Sequence, residues 1–257
     1  MRRVLVYICL LCAIGSTNAQ EALILPFDAD SLTGEQKAQT PVYVAYPAAL
    51  KDDVPTMKCE PKESVDLGLP SGLKWATCNI GAESPEDYGD FFAWGETEKK
   101  EEYSWNNYKW SISNDVQLAL TKYNIHTHSG NGIVDNKTVL EEADDAAHAN
   151  WGGSWRMPTN AEFTELREKC TWTWTTQNGI KGYKVTSNSN GNSIFLPAAG
   201  YCIDSSFGGA GICGFYWSSS LSTDHTLNAY YLTFYSSRVD WTSSNRCQGN
   251  SVRPVCP

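Results

Sequence analysis

Ala229-Tyr230-Tyr231-Leu232-Thr233-Phe234-Tyr235 decides the fold, because its residue types suit a strand and a strand sends successive side chains to opposite faces. Tyr230, Leu232 and Phe234 then face one way, and Tyr231, Thr233 and Tyr235 the other. Leu232 and Phe234 belong in a core. The opposite set is expected to look outward, joined by Asp240, Trp241, Thr242, Ser244 and Asn245 of the following segment, and to tolerate change without loss of the fold. A half-buried edge sheet with no ligand gives the same pattern, since Tyr and Thr favour strands in any case.

The surrounding block, from Tyr216-Trp217-Ser218-Ser219-Ser220 to Ser251-Val252-Arg253-Pro254-Val255, is made almost wholly of Ser, Thr, Tyr, Asn and Trp. Tyr and Trp offer large contact area at low rotamer cost, and the small polar residues offer adaptable hydrogen bonds, as in binding surfaces that must fit varied partners. The candidate ligand contacts are therefore Asp224, His225, Tyr231, Thr233, Tyr235, Asp240, Trp241, Thr242, Ser244 and Asn245. Arg253, inside the closing strand, is assigned to scaffold hydrogen bonding.

Upstream, Val65-Asp66-Leu67 and Leu73-Lys74-Trp75-Ala76-Thr77-Cys78 flank a Gly68-Leu69-Pro70-Ser71-Gly72 turn and read as a hairpin. Two helices are signalled by capping boxes, Thr138 with Glu141 and Thr159 with Glu162. Apolar residues follow each at helical spacing: Val139, Leu140, Ala143, Ala146 and Ala147, then Phe163, Leu166 and Cys170. Further strands are expected at residues 171–175, 182–186, 193–196, 215–219, 229–235 and 251–255. Two helices among many short strands mean an α+β domain, and the lack of βαβ alternation speaks against a nucleotide-binding sheet. Most of the ten tryptophans are expected to pack a loop-rich core, with Trp241 set apart as exposed.

Met1-Arg2-Arg3, the short apolar run that follows and the small residues Ser16-Thr17-Asn18-Ala19 have the form of a secretory leader. Residues 1–19 are thus expected to be a signal peptide, 20–63 an irregular arm broken by prolines, and 64–257 the folded domain. Nothing later approaches the roughly 20 apolar residues of a membrane helix. An exported product is expected, secreted, periplasmic or at the cell surface. The net charge is −9, so a phosphate backbone is repelled and nucleic acid is excluded as a partner.

Nine cysteines, two of them in the leader, read first as disulfide partners in an exported chain. Cys78 with Cys170 and Cys202 with Cys213 are the expected pairs.

Five separated blocks carry a family resemblance: Val65-Asp66-Leu67-Gly68-Leu69-Pro70-Ser71-Gly72-Leu73-Lys74-Trp75-Ala76-Thr77-Cys78-Asn79, Tyr88-Gly89-Asp90-Phe91-Phe92-Ala93-Trp94-Gly95-Glu96, Asn150-Trp151-Gly152-Gly153-Ser154-Trp155-Arg156-Met157-Pro158-Thr159, Phe195-Leu196-Pro197-Ala198-Ala199-Gly200 and Gly249-Asn250-Ser251-Val252-Arg253-Pro254-Val255. In this order they resemble exported Bacteroidales proteins of the family called the Fibrobacter succinogenes major paralogous domain. The resemblance implies a C-type-lectin-like fold at residues 64–257 and a surface or secreted location. It extends to the target proteins of diversity-generating retroelements, whose C-terminal lectin-like segment is rewritten at adenines of Asn codons. Residues 222–248 are rich in types reachable from such codons.

His126 and His128 with His148 are a thin zinc set without helical spacing. Asp144-Asp145 after Glu141-Glu142 reads as a solvated acidic helix face rather than a hydrolytic carboxylate pair. The acids of residues 83–102 offer a weak route to a carbohydrate-active enzyme. The Glu-Pro-Asn and Gln-Pro-Asp loops through which some C-type lectins hold sugar on calcium are absent. No cofactor or metal is expected and no catalysis. The expected function is recognition of an extracellular protein or glycan, with a structural subunit of a cell-surface assembly as the alternative.

Overall fold

Strands β1 (Ser64–Asp66) and β2 (Lys74–Ala76) pair antiparallel with Val65 opposite Trp75, as the intervening turn predicts. They open a computed structural model that describes residues 62–114, 117–125 and 134–257. There follow β3 (Phe91–Phe92), β4 (Ser111–Asn114), β5 (Gln117–Leu120) and the helices α1 (Ala146–Trp151) and α2 (Asn160–Lys169). The remainder is strand: β6 (Cys170–Gln177), β7 (Ile180–Ser187), β8 (Ser193–Pro197), β9 (Tyr201–Ile203), β10 (Ser206–Gly208), β11 (Cys213–Leu221), β12 (Asn228–Tyr235), β13 (Arg238–Asn245), β14 (Asn250–Ser251) and β15 (Val255–Cys256). Small, mainly antiparallel sheets with two helices make this an α+β fold. No helix among the described residues is long and apolar enough to cross a membrane.

The second capping box forms as read. Thr159 accepts from the Glu162 N–H, Glu162 accepts from the Thr159 N–H, and α2 buries Phe163 and Leu166. Such a cap stabilises by about 1 kcal/mol, and here Arg156 also donates twice to Glu162.

The first box is corrected. Residues 138–141 stay non-helical, a single 3-10 turn covers Glu142–Asp144, and the helix starts only at Ala146. Asp145 is the cap, accepting from the Ala147 and His148 N–H groups and from the Met157 N–H across the chain. Burial lifts its carboxyl above the ordinary range in spite of these donors. Asp144 is buried too, and it holds Lys109, Lys122 and the Tyr123 hydroxyl. A solvated acidic face is therefore not what this segment makes: both carboxylates are internal fasteners.

Two cores meet at a five-stranded sheet in the order β13-β12-β11-β14-β3. One face carries Tyr216, Leu232 and Phe234 into a cluster with Phe163 and Leu166 of α2 and with Trp75, Val185 and Leu196. The other carries Trp217, Ala229 and Tyr231 into a cluster with Phe92, Trp94, Met157 and Val252. Each large apolar side chain so buried contributes roughly 1.5–3 kcal/mol. The tryptophans follow the expectation of a packed core, with Trp75, Trp94 and Trp217 fully buried.

The closing strand expected over 251–255 is divided into β14 and β15, and Arg253 lies between them. Its guanidinium is fully buried and donates to Asn79 Oδ1 and to the carbonyls of Ala76, Thr77 and Phe195, so its scaffold role holds. Burial pulls its pKa down to about 10. Arg246, which the sequence reading passed over, is likewise buried, against the rings of Trp94 and Tyr108 and the carbonyl of Tyr123.

Neither expected disulfide forms. Cys170, Cys202 and Cys213 are free, buried thiols, as are Cys247 and Cys256. Cys170 caps α2 and points into the first cluster, while Cys202 packs in a third with Tyr103, Tyr108 and Cys247. Cys78 is disulfide-bonded, though not to Cys170, and the other three expected partners are committed to packing. The signal peptide over 1–19, most of the arm over 20–63, and His126 and His128 lie outside the described residues, whereas His148 sits on α1.

Candidate functional site

The site grows out of one hairpin. β12 and β13 pair in unbroken antiparallel register from Asn228 opposite Asn245 to Tyr235 opposite Arg238, closed by the two-residue turn Ser236-Ser237. Because residues directly opposite share a face, three rungs lie side by side: Tyr231 with Thr242, Thr233 with Asp240, and Tyr235 with Arg238. On the other flank β11 sets Phe215 opposite Thr233 and Trp217 opposite Tyr231.

The second core covers this face only at the Ala229 and Tyr231 end. Where that cover stops, a cleft of about 270 Å³ opens, lined by Phe215, Tyr231, Thr233, Tyr235, Arg238, Asp240 and Thr242. Its aromatic wall is ordered. Phe215 stacks on Tyr231 with ring centroids 5.2 Å apart and an interplanar angle of 21°, and Tyr235 meets Phe215 edge-on at 6.5 Å. Tyr201 of β9 buttresses Phe215 from behind at 5.0 Å.

The polar part divides into two sets. Asp240 is fully engaged, with Oδ2 taking Arg238 while Oδ1 takes the Trp241 N–H at 2.9 Å and lies 3.5 Å from Arg167 of α2. The Arg238 hydrogen bond holds the Asp240 carboxyl below its usual range. In contrast, the hydroxyls of Tyr231, Thr233, Tyr235 and Thr242 have no hydrogen-bond partner among the described residues, and Thr233 Oγ1 is shielded from solvent as well. A hydroxyl offers one donor and two acceptor sites, so the cleft presents three amphoteric groups, on Tyr231, Tyr235 and Thr242, while the hydroxyl of Thr233 lies beneath its surface. Burial pushes the Tyr231 hydroxyl up to about 12, which keeps it protonated and able to donate at neutral pH.

Five of the ten expected contacts, Tyr231, Thr233, Tyr235, Asp240 and Thr242, come together here, but Tyr231 corrects the expected outward set: it is buried in the second cluster, where Phe215 and Trp217 pack on its ring. Ser244 shares their face one rung further on but bonds to Gln248. Trp241 and Asn245 correct the expected grouping: register puts Trp241 opposite Leu232, edge-on to Tyr230, and gives Asn245 the same parity. Both belong to the reverse face, although Trp241 is exposed as foreseen. Asp224 and His225 sit in the exposed loop between β11 and β12, outside the cleft lining. Phe215 and Arg238 were missed. The signal for Arg238 was the Ser236-Ser237 turn, which sets it opposite Tyr235.

Among the described residues no group of three or more His, Cys, Asp or Glu is placed to hold a metal ion. No protein-family profile, characterised protein or solved structure matches this chain.

Proposed function

We propose that the chain is an exported, non-catalytic recognition module that binds an extracellular protein or glycan through the β11–β12–β13 face. Its scaffold is read as C-type-lectin-like and as a member of the Fibrobacter succinogenes major paralogous domain family, on the five sequence blocks quoted above. The observation that carries the reading is the juxtaposition of an aromatic wall with the open hydroxyls of Tyr231, Tyr235 and Thr242 in one cleft. Both walls stand on a rigid sheet with core on its reverse side, so little ordering is needed on binding. Catalysis has poor support in the cleft, because its one carboxylate is saturated by Arg238, Arg167 and a backbone N–H and is held ionised.

A glycan and protein array probed with the whole chain tests the reading. Binding is expected to fall at least tenfold in Tyr235→Ala and to be unchanged in Trp241→Ala, whose ring lies on the reverse face. Equal loss in both, or in neither, counts against the cleft.

The alternative, a structural subunit of a surface assembly, draws on a different place. Phe207 of β10 and Ile212 shortly after it are 66% and 64% exposed, outside the cleft, and exposed apolar side chains suit a subunit contact. A concentration-dependent shift from monomer to oligomer, abolished by Phe207→Ser, favours that alternative.

A further inference from the structure

We propose that the occupant of the cleft is a single neutral pyranose ring of a glycan, held without a metal ion; this rests on the cleft being the binding site. Three features of the lining select that class. The first is charge. The lining has one cation and one anion, Arg238 and Asp240, paired with each other, and Arg167 outside the lining shares the same carboxylate, so an ammonium group finds no free carboxylate and a phosphate or carboxylate finds each guanidinium already paired.

The second is the pattern of hydrogen-bonding capacity. Tyr231, Tyr235 and Thr242 each present a hydroxyl with no partner among the described residues, and Arg238 keeps Nη1 free while its Nε and Nη2 hold Asp240. Groups that both donate and accept are matched by a ligand whose own groups do the same, a polyol above all. An apolar or aromatic protein side chain in the cleft takes the hydroxyls of Tyr231, Tyr235 and Thr242 out of water and gives them no partner, which is unfavourable. A peptide backbone is poorly served as well, because the cleft lies on the face of the sheet, away from the free edge of β13 that main-chain pairing uses.

The third is shape. The stacked Phe215 and Tyr231 rings with Tyr235 edge-on make an apolar wall, complementary to the C–H face of a sugar ring while its hydroxyl rim meets the polar residues. At about 270 Å³ the cleft is smaller than the roughly 300–1,000 Å³ typical of drug-sized ligands and suits one ring. Asp240 acts as a positioning residue, pinning the guanidinium of Arg238.

Saturation-transfer NMR on the whole chain in EDTA tests this, using the methyl glycosides of glucose, galactose, mannose and N-acetylglucosamine, with N-acetyltryptophanamide as a side-chain probe. At least one glycoside is expected to bind saturably, about tenfold weaker to Thr242→Val and Tyr235→Ala and equally well to Trp241→Ala. Near-UV circular dichroism confirms that each variant is folded. Glycoside binding indifferent to Thr242→Val, or lost in EDTA, overturns the inference. If only N-acetyltryptophanamide binds, and Tyr235→Ala weakens it, the pyranose assignment fails while the cleft stands as a binding site. If neither probe binds, both fall.

Discussion

At the residue scale, Arg253 shows how this fold uses a charge where an apolar side chain is the usual choice. Four acceptors from two segments, Ala76, Thr77 and Asn79 in one and Phe195 in the other, converge on one guanidinium that has no ion pair among the described residues. The desolvation cost is met by these hydrogen bonds, and the last residues of the chain are thereby tied to the first hairpin. Arg253→Met keeps most of the volume and removes every donor. The expected loss is at least about 3 kcal/mol, since each buried acceptor left unpaired costs roughly 1–3 kcal/mol, and it is read from the midpoint of urea unfolding. An unchanged midpoint excludes the scaffold role. That role was legible from a lone Arg within an apolar closing segment, whereas its partners were not, because they lie up to 177 positions away in the chain.

At the element scale, β11 and β12 depend on a residue with no side chain. Gly214 pairs with Phe234, and a Cβ at Gly214 meets the Phe234 ring at 2.2 Å, so the ring lies across the strand where any other residue displaces it. Phe234 in turn packs on Tyr183, Tyr216 and Trp174. Gly214→Ala is expected to destabilise by about 1–3 kcal/mol through overpacking, with a matching drop in thermal midpoint and weakened cleft binding through the neighbouring Phe215. Alternation along β12 placed Leu232 and Phe234 correctly from sequence, because period two is a property of the single strand. Which residues stand beside them was harder to read. Cross-strand neighbours follow from register, and register came from the Ser236-Ser237 turn and from a β11 partner some 18 positions upstream of Thr233. The two helix signals diverged for a physical reason too. Thr159 has Glu162 locked by Arg156, whereas Asp145 offers a carboxylate deeper along the first segment and takes the cap from Thr138.

At the scale of the whole molecule, the balance of buried phenols makes stability depend on pH in the alkaline range. Burial raises Tyr103, Tyr216 and Tyr231 each to about 12, above the ordinary value near 10. The unfolded chain therefore gives up these protons first, and stability falls with rising pH wherever the folded state binds more protons. Their contribution is complete below about pH 10 and is lost between about pH 10 and 12. Urea midpoints taken from pH 8 to 11.5 should hold steady and then fall, and Tyr231→Phe should flatten part of the decline; a flat profile speaks against phenols buried neutral. The fold class was open to sequence because turns, caps and alternation are local. Cysteine pairing was not, since spacing carries no information about the direction of a side chain, and the thiols of Cys170, Cys202 and Cys213 all went into packing. The ladder of β12 and β13 has one more implication. Its rungs sit on a grid of fixed pitch, about 4.8 Å between strands, with hydrophobic anchors such as Leu232 and Phe234 locked on the reverse side. Exchanging the outward residue at 233, 235, 238, 240 or 242 alters what is displayed without moving where it is displayed, so specificity can be rewritten one square at a time while the board stays the same.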